Sequence, residues 1–197
     1  MAKAAAKAPA EGAARTLVLE GREKKTARVV VEPAGPAHRI SLRAPAESLA
    51  ALSRALGVKL PEEPMGSAFG KSGDFGGKGG RAALWLGPDE WLVIDTAGND
   101  PMADCAKVKA LHSAADISHR HVAIDVSGAG AADALNAGCP RDLSLVAFPV
   151  GAAARTVLGK IEIALFRSGE DAFRVECWRS FSDYAFTFLA EAARDVS

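Results

Sequence analysis

The stretch from Pro149 to Asp195 reads PVGAAARTVLGKIEIALFRSGEDAFRVECWRSFSDYAFTFLAEAARD. Residues 155–166 and 172–178 alternate apolar and polar side chains around Ser168-Gly169-Glu170, the pattern of a hairpin. Trp178-Arg179-Ser180-Phe181 then leads into a segment whose apolar residues Phe181, Tyr184, Ala185, Phe188, Leu189 and Ala192 recur at helical spacing, with Ser180 as the expected cap. An earlier stretch, GRAALWLGPDEWLVIDTAGND at 80–100, has the same plan. Leu84-Trp85 sits there like Leu165-Phe166, and Trp91 sits like Phe173, one residue off after a turn. The repetition predicts an internally duplicated chain.

The segments around these stretches complete the pattern. Residues 38–43 alternate with Ile40 and Leu42 on one face and stop at Pro45, which predicts a strand. Residues 48–56 place Leu49, Leu52 and Leu56 on one helical face and close at Gly57. Asp100-Pro101 can start a helix, since Asp100 accepts from free amides and Pro101 lacks the amide that would be orphaned; that helix is expected to reach about His112. Residues 117–126 read as a strand, with a short helix after Gly128 that ends at Gly138. Each half is then strand, helix, strand, strand, helix. The first helix must cross over to bring the hairpin beside the first strand, making a split βαβ unit. The expected fold is α+β: a duplicated domain over 15–197, with halves at about 15–114 and 115–197, mostly antiparallel sheets and helices packed on them. Residues 1–14 are Ala, Lys, Pro and Gly without apolar period and are expected to be a disordered tail. Residues 61–80 are expected to be a flexible loop.

Composition narrows the function classes. The 197 residues are 49% hydrophobic and 24% charged, with a formal net charge of zero. That balance speaks against a dedicated nucleic-acid binder. The three cysteines, Cys105, Cys139 and Cys177, are too few and too irregular for a disulfide framework or a zinc pattern. Reduced thiols fit a cytoplasmic protein. The start has no apolar core of a signal peptide, and the longest apolar run, 143–154, is broken by Ser144, Pro149 and Gly151. Neither export by the usual route nor a membrane span is expected.

Candidate chemistry is sparse. Gly66-Ser67-Ala68-Phe69-Gly70-Lys71-Ser72 is one residue short of a phosphate-binding loop, with Met65 where the first glycine should stand, and Gly73 and Gly76 come where a helix would be needed. His119 and His121 would share a face of a strand but lack a third ligand at recognised spacing. Ser127-Gly128-Ala129-Gly130 lacks the elbow of a serine nucleophile. Tyr184 reads as packing on the last helix. Arg179, between Trp178 and Phe181, reads either as an interface anchor or as a solvated stem covering the core edge. The expected catalytic, cofactor-binding and metal-binding residues of this chain are none; the interface candidates are Arg179, Trp178, Tyr184, His119 and Arg120.

Six phrases in order carry a family resemblance: residues 84–92 (LWLGPDEWL), 116–120 (DISHR), 126–131 (VSGAGA), 138–143 (GCPRDL), 155–160 (RTVLGK) and 178–184 (WRSFSDY). Together they resemble the gamma subunit of heterotetrameric sarcosine oxidase over about residues 38–193. The resemblance implies a fold like the folate-binding domain of the glycine-cleavage aminomethyltransferase. It also implies alpha, beta and delta partner subunits that carry FAD, FMN, NAD, tetrahydrofolate and zinc, and none of these on this chain. The assembly would oxidatively demethylate sarcosine to glycine, with hydrogen peroxide and formaldehyde or methylenetetrahydrofolate as products. The alternative implied by the fold is a stand-alone folate-binding one-carbon protein.

Overall fold

The computed structural model describes residues 18–70 and 80–196. The tail expected at 1–14 and residues 71–79 of the expected loop lie outside them. A short β1 (Lys24–Lys25) and β2 (Val30–Pro33) lead into β3 (His38–Arg43) and α1 (Leu49–Leu56). After β4 (Ser67–Phe69) comes the hairpin of β5 (Arg81–Gly87) and β6 (Glu90–Asp95), then α2 (Pro101–Cys105). The second half begins with β7 (Ser113–Asp116), β8 (His121–Ser127) and α3 (Ala131–Asn136). It continues with β9 (Ala153–Leu158), β10 (Ile161–Gly169), β11 (Ala172–Trp178) and α4 (Ser182–Asp195).

These strands form two antiparallel sheets, ordered β4-β5-β6-β3-β7 and β1-β2-β8-β11-β10-β9. In the first, β3 and β5 run parallel with β6 inserted between them; β8, β10 and β11 repeat this in the second. Both halves are thus split βαβ units, and the predicted duplication is present. The two edge strands are exchanged: β2 precedes β3 in sequence but pairs with β8 of the other half, and β7 precedes β8 but pairs with β3. Each half is completed by a strand that the other supplies.

The hairpins fix the register of the repeat. Both carry a bulge at the same place, between Trp85 and Gly87 and between Arg167 and Gly169. Trp85 pairs with Trp91 as Arg167 pairs with Phe173. Trp91 and Phe173 are therefore equivalent, as the sequence indicated, but Leu84-Trp85 corresponds to Phe166-Arg167 rather than to Leu165-Phe166. The bulge is common to both hairpins and keeps the halves in step; the sequence match followed the shared leucine–aromatic pair and is one residue out.

Several other expectations change. The span 155–166 is two strands, β9 and part of β10, because Gly159 (φ 57°) turns the chain between them. A side chain there would strike the Tyr184 hydroxyl. The 61–80 stretch contains β4. Helix α2 stops at Cys105 instead of reaching His112, since the next residues offer no continuous apolar face: Leu111 is 75% exposed. Ser180 does not cap α4; the Ser182 hydroxyl instead donates to the Arg179 carbonyl at 2.8 Å. The inner face of α4 holds Phe186, Ala185 and Leu189, while Phe181 and Tyr184 lie outside.

Packing reflects strand alternation. One face of the first sheet (Ile40, Leu42, Trp91, Val93) packs on α1 and α2. One face of the second (Ile124, Val126, Leu165, Phe173, Val175) packs on α3 and α4. The opposite faces meet through Leu84, Leu92, Ile94, Ala153 and Phe166. Where β6 presents Leu92 and Ile94 to this middle layer, β11 presents Arg174 and Glu176 at the equivalent positions. Glu176 is fully buried. It accepts from Arg39 of the first sheet through Nε at 2.7 Å and Nη2 at 3.3 Å, and from Arg174 Nε at 2.8 Å. Burial opposes its ionisation, but the two guanidiniums prevail and hold its carboxyl below the ordinary glutamate range.

Removing one member of a buried charge cluster leaves the others uncompensated. Glu176→Ala should therefore lower the unfolding free energy by about 3–5 kcal/mol, whereas Arg39→Met, Arg174→Met and Glu176→Leu combined should recover much of it. Urea denaturation of the isolated chain checks this. A loss below about 1 kcal/mol for Glu176→Ala would show that the cluster does not hold the sheets together.

Candidate interface at the end of the inter-sheet cleft

The middle layer opens at one end into a cleft of about 80 Å³ bordered by Glu90, Arg120, His121, Arg155, Glu176 and Trp178. Its carboxylates Glu90 and Glu176 are committed to arginines. Glu90 of β6 binds Arg155 of β9 across the two sheets and also takes Arg43 Nη2 at 2.9 Å. Glu176 is held by Arg39 and Arg174. Burial pushes the Cys105 and Cys177 thiols up to about 11 and about 12, so neither is a nucleophile near neutrality. Among the described residues no three His, Cys, Asp or Glu side chains converge as metal ligands.

His119, Arg120 and His121 do not form the strand that alternation predicted. Residues 118–120 are a turn, because Ile117 O accepts from both the Arg120 and His121 amides at 3.0 Å. His119 and Arg120 are exposed on it, and only His121 enters β8, opposite Trp178. The Arg39 amide donates to Ser118 Oγ at 2.9 Å and its carbonyl accepts from Ile117 N, so the turn is tied to the same residue that binds Glu176. The His121 Nδ1 is buried without a hydrogen-bond partner. Desolvation, aided by Arg120 and Arg39 and opposed by Glu176, pushes its pKa down to about 4, so this imidazole is neutral at pH 7.

The other rim is the β11–α4 junction. The Arg179 amide donates to the Arg120 carbonyl at 2.7 Å, joining this junction to the 118–120 turn. The Arg120 guanidinium lies 4.8 Å from the centre of the Trp178 ring, and Trp178 stacks on Phe181 at 6.0 Å and 18°. This three-member stack faces solvent, with Trp178 41% and Phe181 40% exposed. Arg179 is exposed beside it. Tyr184 stands apart, its hydroxyl accepting from the Lys160 amide at 3.2 Å and its ring tilted on Phe188. It fastens the β9–β10 turn to α4.

Four of the five residues singled out from sequence (His119, Arg120, Trp178 and Arg179) thus come together, and Tyr184 serves the chain's own packing. Phe181 was missed because its spacing also fits the inner face of α4. Arg39, Arg174 and Glu176 were missed too, although Arg174 and Glu176 share the phase of Trp178 along β11, which marks a charged face. The phosphate-loop decoy dissolves: Ser67–Phe69 is a strand, and the Ser67 hydroxyl donates to the Gly151 carbonyl at 2.6 Å.

Comparison with known proteins agrees with the fold. Residues 43–195 match the model of the sarcosine oxidase, gamma subunit family. Sarcosine oxidase subunit gamma of Corynebacterium sp. (strain P-1) is 33% identical over 152 residues, covering 75% of this chain and 70% of the relative. The Arthrobacter sp. subunit is equally similar over the same length. A chain of the heterotetrameric sarcosine oxidase from Corynebacterium sp. U-96 superimposes with a TM-score of 0.78 at 30% identity, covering 89% of both chains. The glycine cleavage system aminomethyltransferase T from Bartonella henselae shares the fold, with a TM-score of 0.61 at 14% identity over 85% of this chain and 46% of that one. Family model, curated relatives and the superposed fold agree, and the chain belongs to the sarcosine oxidase gamma subunit family.

Proposed function

We propose that this chain is a non-catalytic subunit that supports oxidative demethylation of sarcosine to glycine, with hydrogen peroxide and formaldehyde or methylenetetrahydrofolate as products. The partners are alpha, beta and delta subunits in the cytoplasm, and FAD, FMN, NAD, tetrahydrofolate and zinc reside on them. The observation that carries this reading is the exposed Arg120–Trp178–Phe181 stack beside a cleft whose glutamates Glu90 and Glu176 are already paired. Aromatic and arginine side chains concentrate binding energy at protein interfaces. A cleft of about 80 Å³ is well below the roughly 300–1,000 Å³ of small-molecule sites, which weighs against a folate site between the sheets. Among the described residues no helix is long and apolar enough to cross a membrane.

Two measurements test this. The isolated chain should be colourless and free of stoichiometric metal, while the assembled oxidase shows flavin absorption; a flavin spectrum in the isolated chain would refute the non-catalytic role. Trp178→Ala and Arg179→Ala should lower the yield of complex, with an affinity loss of about thirtyfold for a residue contributing about 2 kcal/mol. Turnover per assembled complex should not change. Slow turnover at normal yield would assign these residues to substrate or catalysis.

In this reading His121 is a half-buried neutral spacer and not a base. Its depressed folded pKa makes its contribution to stability complete above the ordinary value of 6.5 and progressively lost as pH falls towards 4. Glu176, also depressed, loses its contribution only below its ordinary 4.5. Stability of the isolated chain should therefore fall between pH 6.5 and 4.5, and His121→Gln should flatten that window. An unchanged slope in His121→Gln would place the titration elsewhere.

A further inference from the structure

The loop joining α3 to β9 combines a fixed shape with exposed aliphatic side chains. Leu143 (2% exposed) and Phe148 (fully buried) anchor it in the core. Between and just beyond them Leu145 is 49%, Val146 96% and Val150 50% exposed. The backbone under these side chains is held by hydrogen bonds. The Asp142 carboxylate accepts from the Ser144 amide at 2.8 Å, Ser144 Oγ from the Ala147 amide at 3.3 Å, and the Ser144 carbonyl from the Phe148 amide at 2.8 Å.

Arg167 holds the loop from beneath. Its side chain, in a residue only 3% exposed, donates through Nη1 to the carbonyls of Leu143 and Phe148, both at 2.8 Å. Nε donates to the Gly169 and Glu170 carbonyls, Nη2 again reaches Glu170, and the guanidinium lies 4.7 Å from the Phe173 ring centre. A buried cation thus directs its donors at backbone carbonyls, two of them at the loop's anchors. Such an arrangement fixes a loop, and a fixed loop loses less entropy on docking than a mobile one.

We propose that loop 142–151 is a pre-shaped apolar knob that inserts Val146 and Leu145 into an apolar recess of a sister subunit of the oxidase. It is an attachment separate from the Arg120–Trp178–Phe181 patch. This rests on the reading of the chain as a subunit of the heterotetramer. Strand register separates the two surfaces. The loop enters β9 at Ala153, opposite Phe166, whereas Trp178 lies just beyond Cys177, opposite Ile163. The loop and the aromatic stack are therefore at opposite ends of the second sheet. Area selects the occupant. Three aliphatic side chains offer a few hundred Å² at most, far below the roughly 800 Å² per partner of a stable stand-alone interface. The knob cannot sustain a dimer of this chain by itself, but it adds to a larger contact with a subunit engaged elsewhere.

The test uses this chain co-expressed with the alpha, beta and delta subunits and purified as the complex. Val146→Asp, at a 96% exposed position, should leave the melting temperature of the isolated chain unchanged and weaken association roughly tenfold or more. Val146→Ile should assemble normally. Trp178→Ala, run in parallel, separates the two readings. If it impairs assembly while Val146→Asp does not, the knob is overturned and the subunit role stands. If the wild-type chain fails to join the other subunits, both fall. A wild-type chain that dimerises alone, with dimers that Val146→Asp dissolves, would assign the loop to a second copy and overturn the proposal.

Discussion

A single buried carboxylate links the two halves of this molecule. Glu176 stands on β11 of the second sheet, yet Arg39 of the first sheet supplies two of its hydrogen bonds, and Arg174 supplies another. Equivalent positions of the first half carry Leu92 and Ile94. An apolar middle layer alone would leave the sliding of one sheet over the other weakly specified. Directional, charge-assisted bonds fix it. The Arg39 carbonyl also accepts from Ile117 N and its amide donates to Ser118, so the rim turn that displays Arg120 takes its position from the same anchor. The reciprocal exchange of β2 and β7 adds a topological tie. Neither half is complete without a strand from the other.

The fold is shared with an aminomethyltransferase of the glycine cleavage system, and the role proposed for this chain is to contribute surface. The cleft that two facing sheets could enclose is small, and pairing of Glu90 with Arg155 and Arg43 narrows its polar demands further. Chemistry needs groups poised near neutrality. Four groups are displaced from it: burial pushes the Cys105 and Cys177 thiols up and the His121 imidazole down, and two guanidiniums hold Glu176 ionised. Exposed apolar and aromatic side chains gather instead at the β11–α4 junction and on loop 142–151.

Much of this was legible in the sequence for a physical reason. Alternation and helical spacing report burial directly, so the strands around Ile40, Trp91 and Phe173 and the helices at Leu52 and Leu189 could be read. The α+β class and the duplication emerged from their order. What escaped depends on neighbours distant in sequence. Val31 of strand Val30–Pro33 is buried because β8 and α4 lie beside it. The bulges before Gly87 and Gly169 lie at the same place in both halves and leave no mark on composition. Phe181 satisfies the helical period yet faces solvent because the helix begins one residue later. The Arg39–Glu176 bond joins residues far apart in the chain, and alternation marks only that Glu176 faces the same way as Trp178.

This chain is proposed to act through surfaces and not through a bound substrate. Backbone hydrogen exchange of the chain, alone and within the assembled oxidase, with and without sarcosine, tests it most directly. Assembly should slow exchange at residues 118–121 and 178–184, and sarcosine should change nothing in the isolated chain. Protection of the cleft residues around Glu90, His121 and Glu176 on adding sarcosine to the isolated chain, with no protection at the Trp178 rim on assembly, would contradict the account.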